Sequence, residues 1–302
     1  MLPVSVVTGI EMEINMKNVL ITGKGSYIGS NFRKYLEQYQ DDYQVDELDM
    51  RNEQWKEYDF SVYDVVYHVA GLAHSTPDES QKALYYRVNT DLTYEVARKA
   101  KDEGVKQFIF MSSVIVYGSG EIGKQCIIKK DTPLNPDNFY GDSKKQAEIK
   151  IKTLEDNSFK IVILRPPMVY GRNSKGNYPM LAKFARKTPI FPEMKNQRSM
   201  LYLGNLLEFV KLMIDYEESG VFLPQNTEYV CTSELIRKIA ELNQHKVFFV
   251  KIFNPFIKLF TKNVYINKIF GNFTIEKGLS LYKVDYNKYS FEESIKLTEG
   301  KM

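Results

Sequence analysis

The run Asn18-Val19-Leu20-Ile21 leads without a break into Thr22-Gly23-Lys24-Gly25-Ser26-Tyr27-Ile28-Gly29, and then into a stretch carrying Phe32, Tyr35 and Leu36. The first run suits a strand buried on both faces of a parallel sheet. Phe32, Tyr35 and Leu36 recur at helical spacing and predict a helix directly after the turn. Glycines let the turn close tightly and let a phosphate approach the backbone, while the helix N-terminus receives the negative charge. Strand, glycine turn and helix in that order is the context a dinucleotide loop needs, and it commits the chain to successive βα units. A second strand, Tyr43 to Leu48, ends at Asp49, at the spacing expected for a carboxylate that binds a ribose diol. The plainer alternative is a glycine turn with a surface acid beyond it.

Ser113, Tyr140 and Lys144 together can move a proton off a sugar hydroxyl. Tyr140-Gly141-Asp142-Ser143-Lys144 reads as the start of a helix, which puts Tyr140 and Lys144 on one face, a turn apart. A phenol has a pKa of about 10 in water, too high for a base near neutral pH. An ammonium one turn away is expected to favour the phenolate and bring that value down. Ser113 follows the apolar strand Phe108-Ile109-Phe110-Met111, where its hydroxyl can orient the same substrate oxygen. Taken alone, a Tyr-x-x-x-Lys pattern describes many solvated helix faces, so its weight comes from the nucleotide loop upstream.

With these motifs in view, the sequence resembles the extended short-chain dehydrogenase/reductase superfamily, and within it the NAD-dependent sugar epimerase/dehydratase branch. The resemblance runs from about Met16 to the C-terminus, with motifs in the family's order. Asp64-Val65-Val66-Tyr67-His68-Val69-Ala70-Gly71 is similar to the third strand, whose end, at Ala70 and Gly71, lines the cofactor. Tyr86-Arg87-Val88-Asn89 resembles the structural asparagine segment, and Phe110 to Gly118 the strand with the catalytic serine, at Ser113. Tyr140 to Lys144 matches the catalytic helix. Leu164-Arg165-Pro166-Pro167-Met168-Val169-Tyr170-Gly171 matches the strand that leaves the nucleotide domain for the sugar. Arg198 to Leu206 matches a late segment whose arginine meets a substrate phosphate.

The resemblance implies an α/β fold: a Rossmann-type doubly wound parallel sheet with a smaller C-terminal substrate-binding lobe. Residues 16–165 would form the NAD-binding domain and 166–302 mainly the lobe, with part of 198–222 packing back on the first. Gly23, Gly25, Ser26, Tyr27, Ile28 and Gly29 would hold the NAD pyrophosphate, and Asp49 its ribose. Tyr140 and Lys144 would meet the nicotinamide end. Two departures stand out. Ser26 occupies the middle glycine position of T-G-x-x-G-x-x-G, with Gly25 one residue earlier, so the backbone is expected to sit slightly farther from the pyrophosphate. The loop Leu72-Ala73-His74-Ser75 lacks a lysine found there in some epimerases, which leaves His74 to face the pocket or water.

Composition fits a soluble enzyme. Forty-one Lys and Arg against 38 Asp and Glu leave no basic footprint that would demand nucleic acid. Cys126 and Cys231 lie far apart, without a pairing or metal pattern, which suits a reducing cytoplasm. His68, His74 and His245 offer no metal-ligand spacing, and no apolar run is long enough to cross a bilayer. Residues 1–15 lack a basic n-region or cleavage site; they read as an N-terminal extension expected to be poorly ordered.

Residues 83–101 and 140–154 read as two long helices. Equivalent helices in this superfamily commonly pair across a dimer axis, so the resemblance implies a homodimer; alternatively, their apolar residues pack only on the chain's own sheet. Prolines at 166, 167, 179, 189 and 192 break the βα rhythm, as loops of a substrate-covering lobe would. Helices are expected again over 201–216 and 233–242. Residues 252–270 combine large apolar side chains with spaced lysines. They read as amphipathic helices closing the lobe, or more specifically as a membrane-surface patch suited to a lipid-linked sugar.

What is missing narrows the chemistry. In related 4,6-dehydratases acidic residues follow the serine/threonine position, whereas Val114 and Ile115 follow here, so dehydration is not expected. The resemblance then implies C4 epimerisation of a UDP-linked hexose or N-acetylhexosamine, for surface polysaccharide synthesis. Tyr140 would take the 4-hydroxyl proton, Ser113 would bind the reacting oxygen, and Asn177 and Arg198 would hold the diphosphate. Two rivals remain at this point: a 4-keto-sugar reductase using the same triad, and a non-catalytic nucleotide-binding relative. Asp49 favours NAD by repelling a 2′-phosphate, while Arg51 nearby leaves room for NADP.

Overall fold

The computed structural model describes residues 16–73, 79–259 and 263–301. The extension at 1–15 and residues 74–78, with His74 and Ser75, lie outside the described residues. In chain order the elements are β1 (Lys17–Thr22), α1 (Tyr27–Leu36), β2 (Tyr43–Leu48), β3 (Val65–His68), α2 (Lys82–Tyr86), α3 (Leu92–Asp102), β4 (Gln107–Met111) and β5 (Ile127–Ile128). Then follow α4 (Phe139–Lys152), β6 (Lys160–Leu164), β7 (Met168–Tyr170), α5 (Asn177–Lys187), β8 (Ile190–Pro192), β9 (Met200–Tyr202), α6 (Leu203–Asp215) and β10 (Gly220–Phe222). The chain ends with α7 (Thr232–Leu242), β11 (Phe248–Val250), α8 (Asn254–Leu259), α9 (Val264–Phe270), β12 (Thr274–Ile275) and α10 (Phe291–Glu299).

Six strands form one parallel sheet in the order β10-β6-β4-β3-β1-β2. Alternate residues of each strand serve opposite faces, as the two-residue period requires. Val19, Ile21, Val65, Tyr67, Ile109 and Val162 bury themselves under α1 and α6. Leu20, Val66, Phe108, Phe110, Ile161 and Ile163 do so under α3 and α4. Both faces are thus covered, which is why these strands read as continuous apolar runs. The sheet carries one strand beyond β1, where the usual dinucleotide-binding order carries two. The link from Asp49 to Asp64 builds no strand; it is a short 3-10 turn, Glu53–Glu57, pinned by buried Trp55, with Phe60 buried after it. The direction of winding reverses between β1 and β3, so the crevice beyond their C-terminal ends is where a ligand binds in such sheets.

Three elements differ from expectation. The helix over 83–101 contains a π turn, Arg87–Asp91, between α2 and α3. Leu201 and Tyr202 belong to β9, which pairs in parallel with β7, so α6 starts only at Leu203. Pro179 lies within the first turn of α5, where a missing N–H costs nothing. α6 contributes Leu206, Phe209, Val210 and Met213 to the core over β1 and β3, and β10 is the edge strand beside β6. The smaller lobe has its own core, in which α5, α7 and α10 bring together Leu181, Ala185, Leu235, Ile239 and Ile295.

Candidate active site

The glycine turn hangs on the end of β2, because the N–H groups of Gly23 and Lys24 both donate to the Leu48 carbonyl at 2.9 and 3.0 Å. Gly23 has φ +123°, and a Cβ there would stand 2.8 Å from the Ala70 nitrogen; only glycine fits between the first turn and the end of β3. Gly25 takes φ +75° with open space around it. Ser26, which replaces the usual glycine, has extended backbone (φ −69°, ψ 147°) and caps α1 by accepting from the Gly29 N–H. Serine is among the preferred caps, so the substitution is unstrained; its cost is one N–H donor used internally. The first-turn N–H groups of Tyr27 and Ile28 have no intrahelical acceptor and face the crevice end of the helix dipole. This cradle fits a dinucleotide pyrophosphate.

Asp49 follows β2 directly. Arg51 grips it through Nε at 2.9 and 3.0 Å and donates its N–H to the same carboxylate. The hydrogen bonds from Arg51 hold the Asp49 carboxyl down at about 2.

Opposite the glycine turn, Asn138 caps α4 by accepting from Gly141 N–H at 2.9 Å, which starts the helix just before Tyr140. The Tyr140 ring meets buried Tyr85 edge-on, centroids 6.0 Å apart. Ser113 begins a 3-10 turn, Val114–Tyr117, and its hydroxyl accepts from Ile115 N–H at 3.3 Å. The Ser113 hydroxyl lies near the Tyr140 phenol and acts to lower its pKa. The Lys144 ammonium, one turn along, donates to the Met111 carbonyl at 2.9 Å and lies over the Phe110 ring. A Cβ on Gly71 would come within 3.1 Å of Lys144 Nζ and 3.0 Å of Asn89 Oδ1. Ser113, Tyr140, Lys144 and Gly71 are therefore gathered at the C-terminal ends of β3 and β4.

One expectation is corrected here. Burial pushes the Tyr140 phenol up to about 12, Tyr85 adds to this, and only the Ser113 hydroxyl opposes it. The Lys144 ammonium, which donates to Met111 O, is itself lowered to about 8 by burial.

Several residues outside the triad hold the site, among them the asparagine of the segment Tyr86 to Asn89. Asn89, in the π turn, accepts from Leu72 N–H at 2.7 Å and donates to Leu72 O and Ser143 Oγ, tying the loop after β3 to α4. π turns occur disproportionately at functional sites. His68 lies buried between Thr22 and Thr93, at 2.8 and 3.1 Å. Thr93 already gives its hydroxyl proton to Asn89 O, so the neutral ring donates through Nε2 and accepts from Thr22 through Nδ1. Glu148, one turn beyond Lys144 on the same face, forms a buried ion pair with Arg165. Its i+4 spacing from Lys144 was the available signal.

The proposed diphosphate residues sit in the smaller lobe. Asn177 is the first residue of α5. Arg198 donates through Nη1 to the Gly271 and Asn267 carbonyls, at 2.9 and 3.3 Å, at the end of α9. Burial lowers its pKa to about 10, and no carboxylate pairs with it among the described residues.

The chain is 30% identical to a UDP-glucose 4-epimerase of Vibrio cholerae, over 86% of this chain and 87% of that one. It is also 30% identical to the N-acetyl-alpha-D-glucosaminyl-diphospho-ditrans,octacis-undecaprenol 4-epimerase of Escherichia coli O157:H7, over 67% of this chain and 65% of that one. Among solved structures, the UDP-glucuronic acid 4-epimerase of Bacillus cereus in complex with NAD has the same fold, at TM-score 0.73 and 17% identity, covering 94% of this chain and 98% of that one. Residues 19–223, from the first strand to the last strand of the main sheet, match one family as a block, and the chain belongs to the NAD dependent epimerase/dehydratase family.

Proposed function

We propose that this protein is an NAD-dependent epimerase acting at C4 of a UDP-linked hexose or N-acetylhexosamine. The observation that carries the reading is the gathering of Ser113, Tyr140 and Lys144 at the end of β4, across from the glycine turn, with no proton-transfer residue following Ser113. The Vibrio cholerae relative, named a UDP-glucose 4-epimerase and alike over most of its length, supports it.

In this reading Gly23, Gly25, Ser26, Gly29 and the Tyr27 and Ile28 N–H groups hold the pyrophosphate, Asp49 the ribose diol, and Ala70 and Gly71 line the cofactor. When bound, NAD supplies the acceptor for hydrogen leaving C4 and a cationic ring. Tyr140 Oη takes the proton of the 4-hydroxyl and later returns it. Ser113 Oγ hydrogen-bonds that oxygen and fixes its direction. Lys144 keeps positive charge on the Tyr140 side of the site, which matters because Tyr140, pushed up mainly by burial, stands at about 12 without cofactor or substrate charge beside it. Val114 and Ile115 cannot exchange protons, so the chemistry stops at one carbon. Arg198 and Asn177 receive the diphosphate, for which a desolvated guanidinium is the best donor.

The sugar–diphosphate part is common to UDP sugars and to the undecaprenyl-linked sugar named for the Escherichia coli relative, so the same site suits either carrier. We also propose a homodimer through α3 and α4, on whose outer side Ile149 is exposed, in a reducing cytoplasm that leaves Cys126 and Cys231 free. No helix among the described residues is long and apolar enough to cross a membrane. The test of the central reading is NMR of the C4 proton with UDP-glucose, UDP-galactose and their N-acetyl forms. Epimer at constant cofactor absorbance supports it; consumption of reduced cofactor on a 4-keto sugar, with no epimer from any parent, moves the assignment to a reductase.

A further inference from the structure

The smaller lobe carries more apolar surface than its core absorbs. On the parallel pair β8–β11, Phe249 packs inward against Phe191, while their neighbours Phe248 and Ile190 stand side by side in register on the outer face. Phe248 is 67% exposed. The chain then turns into α8, where Ile257 joins the core and Ile252, Phe256 and Leu259 stay 71, 61 and 79% exposed. Large apolar side chains grouped in this way mark an interaction surface more often than chance exposure.

Charge tells what kind of surface it meets. From Leu242 to Ile275 the chain has five lysines, at 246, 251, 258, 262 and 268, and not one acid. Lys246 and Lys251 are exposed. Neighbouring elements contribute two acids, Glu193, which lies 3.8 Å from Lys251 and is shared with Arg237, and Glu241, which lines the same groove as Lys246 and Phe248; Arg237 from α7 adds a further cation there. A second copy of this surface would bring lysines against lysines, and an acidic peptide would leave the exposed aromatics without purpose. Apolar side chains that enter the headgroup boundary, with ammonium groups beside them for lipid phosphates, match an anionic bilayer. We infer that this face of the smaller lobe docks on an anionic membrane surface.

The test is co-sedimentation of the full chain with vesicles of phosphatidylcholine alone, or with about one third phosphatidylglycerol. The wild type is expected to pellet with the anionic vesicles and to be released as salt rises. Two variants keep the experiment decisive: Ile252→Ser/Phe256→Ser/Leu259→Ser, and Lys246→Glu/Lys251→Glu. Each should bind at least about tenfold more weakly with unchanged thermal melting, since the residues altered are exposed. The inference is overturned if the wild type stays in the supernatant, or if both variants pellet as it does. It is equally overturned if light scattering shows a wild-type oligomer that the apolar variant dissolves, because the patch is then a contact between copies. Vesicle binding is read without turnover, so it stands or falls independently of the epimerase reading.

Discussion

Lys144 donates its ammonium to the main-chain carbonyl oxygen of Met111, 2.9 Å away at the end of the strand that leads to Ser113. Burial lowers its pKa from 10.5 to about 8, with Glu148 opposing the shift. Between those two values the unfolded chain binds more protons than the folded one, so this lysine's contribution to stability rises with pH there and is flat below about 8. Wild type should therefore gain a few kcal/mol on Lys144→Met as pH moves from about 7.5 to about 10.5, at about 1.4 kcal/mol per unit. Urea unfolding of both proteins across that range measures it. A constant difference between them would show that the ammonium is not desolvated.

Glu148 holds Arg165 through Nε and Nη2, accepts from the Ser112 hydroxyl, and leaves Arg165 Nη1 to reach the Tyr117 hydroxyl at 2.6 Å. Both charges are buried, so removing one partner strands the other. Glu148→Ala should cost about 3–5 kcal/mol of unfolding free energy, whereas Glu148→Gln, which can still accept from the guanidinium, should cost less. Thermal or urea unfolding decides; a loss below about 1 kcal/mol for the alanine variant would mean that water already reaches the pair.

Asp49 is held at about 2 by Arg51, so its charge does not change over the pH range in which the protein would work. The preference for NAD over NADP should accordingly be constant from about pH 7 to 9, above the second pKa of about 6 at which the 2′-phosphate itself gains charge. Asp49→Asn should narrow it, because the charge that repels a 2′-phosphate is gone while Arg51 is freed to meet one. Calorimetric titration with each dinucleotide tests this. Tighter NADP binding by the wild type would overturn the assignment of Asp49.

Local patterns made much of this legible. The glycine turn, the end of β2 at Asp49 and the shared face of Tyr140 and Lys144 all follow from spacing along one element, and they stand where spacing predicts. Burial and long-range pairing did not. The expected lowering of the Tyr140 phenol failed because burial, which no motif encodes, dominates at that hydroxyl. The single strand beyond β1 depended on what the Asp49–Asp64 link fails to form. Arg198 was foreseen as a phosphate ligand, but its grip on the Asn267 and Gly271 carbonyls joins segments some seventy residues apart. The Asn89 clamp sits in a π turn that a helical period does not distinguish from an ordinary turn.

The most direct measurement uses a UDP-hexose deuterated at C4, followed by NMR with wild type and Tyr140→Phe. The account predicts that wild type forms the C4 epimer with deuterium retained at C4, because the hydrogen leaves and returns within one active site. It predicts that Tyr140→Phe, which loses only the ionisable oxygen, binds cofactor and sugar nearly as before and turns over at least about a hundredfold more slowly. Epimer formed by the phenylalanine variant at a near-normal rate, or a wild-type protein that leaves every parent sugar unchanged, would contradict it.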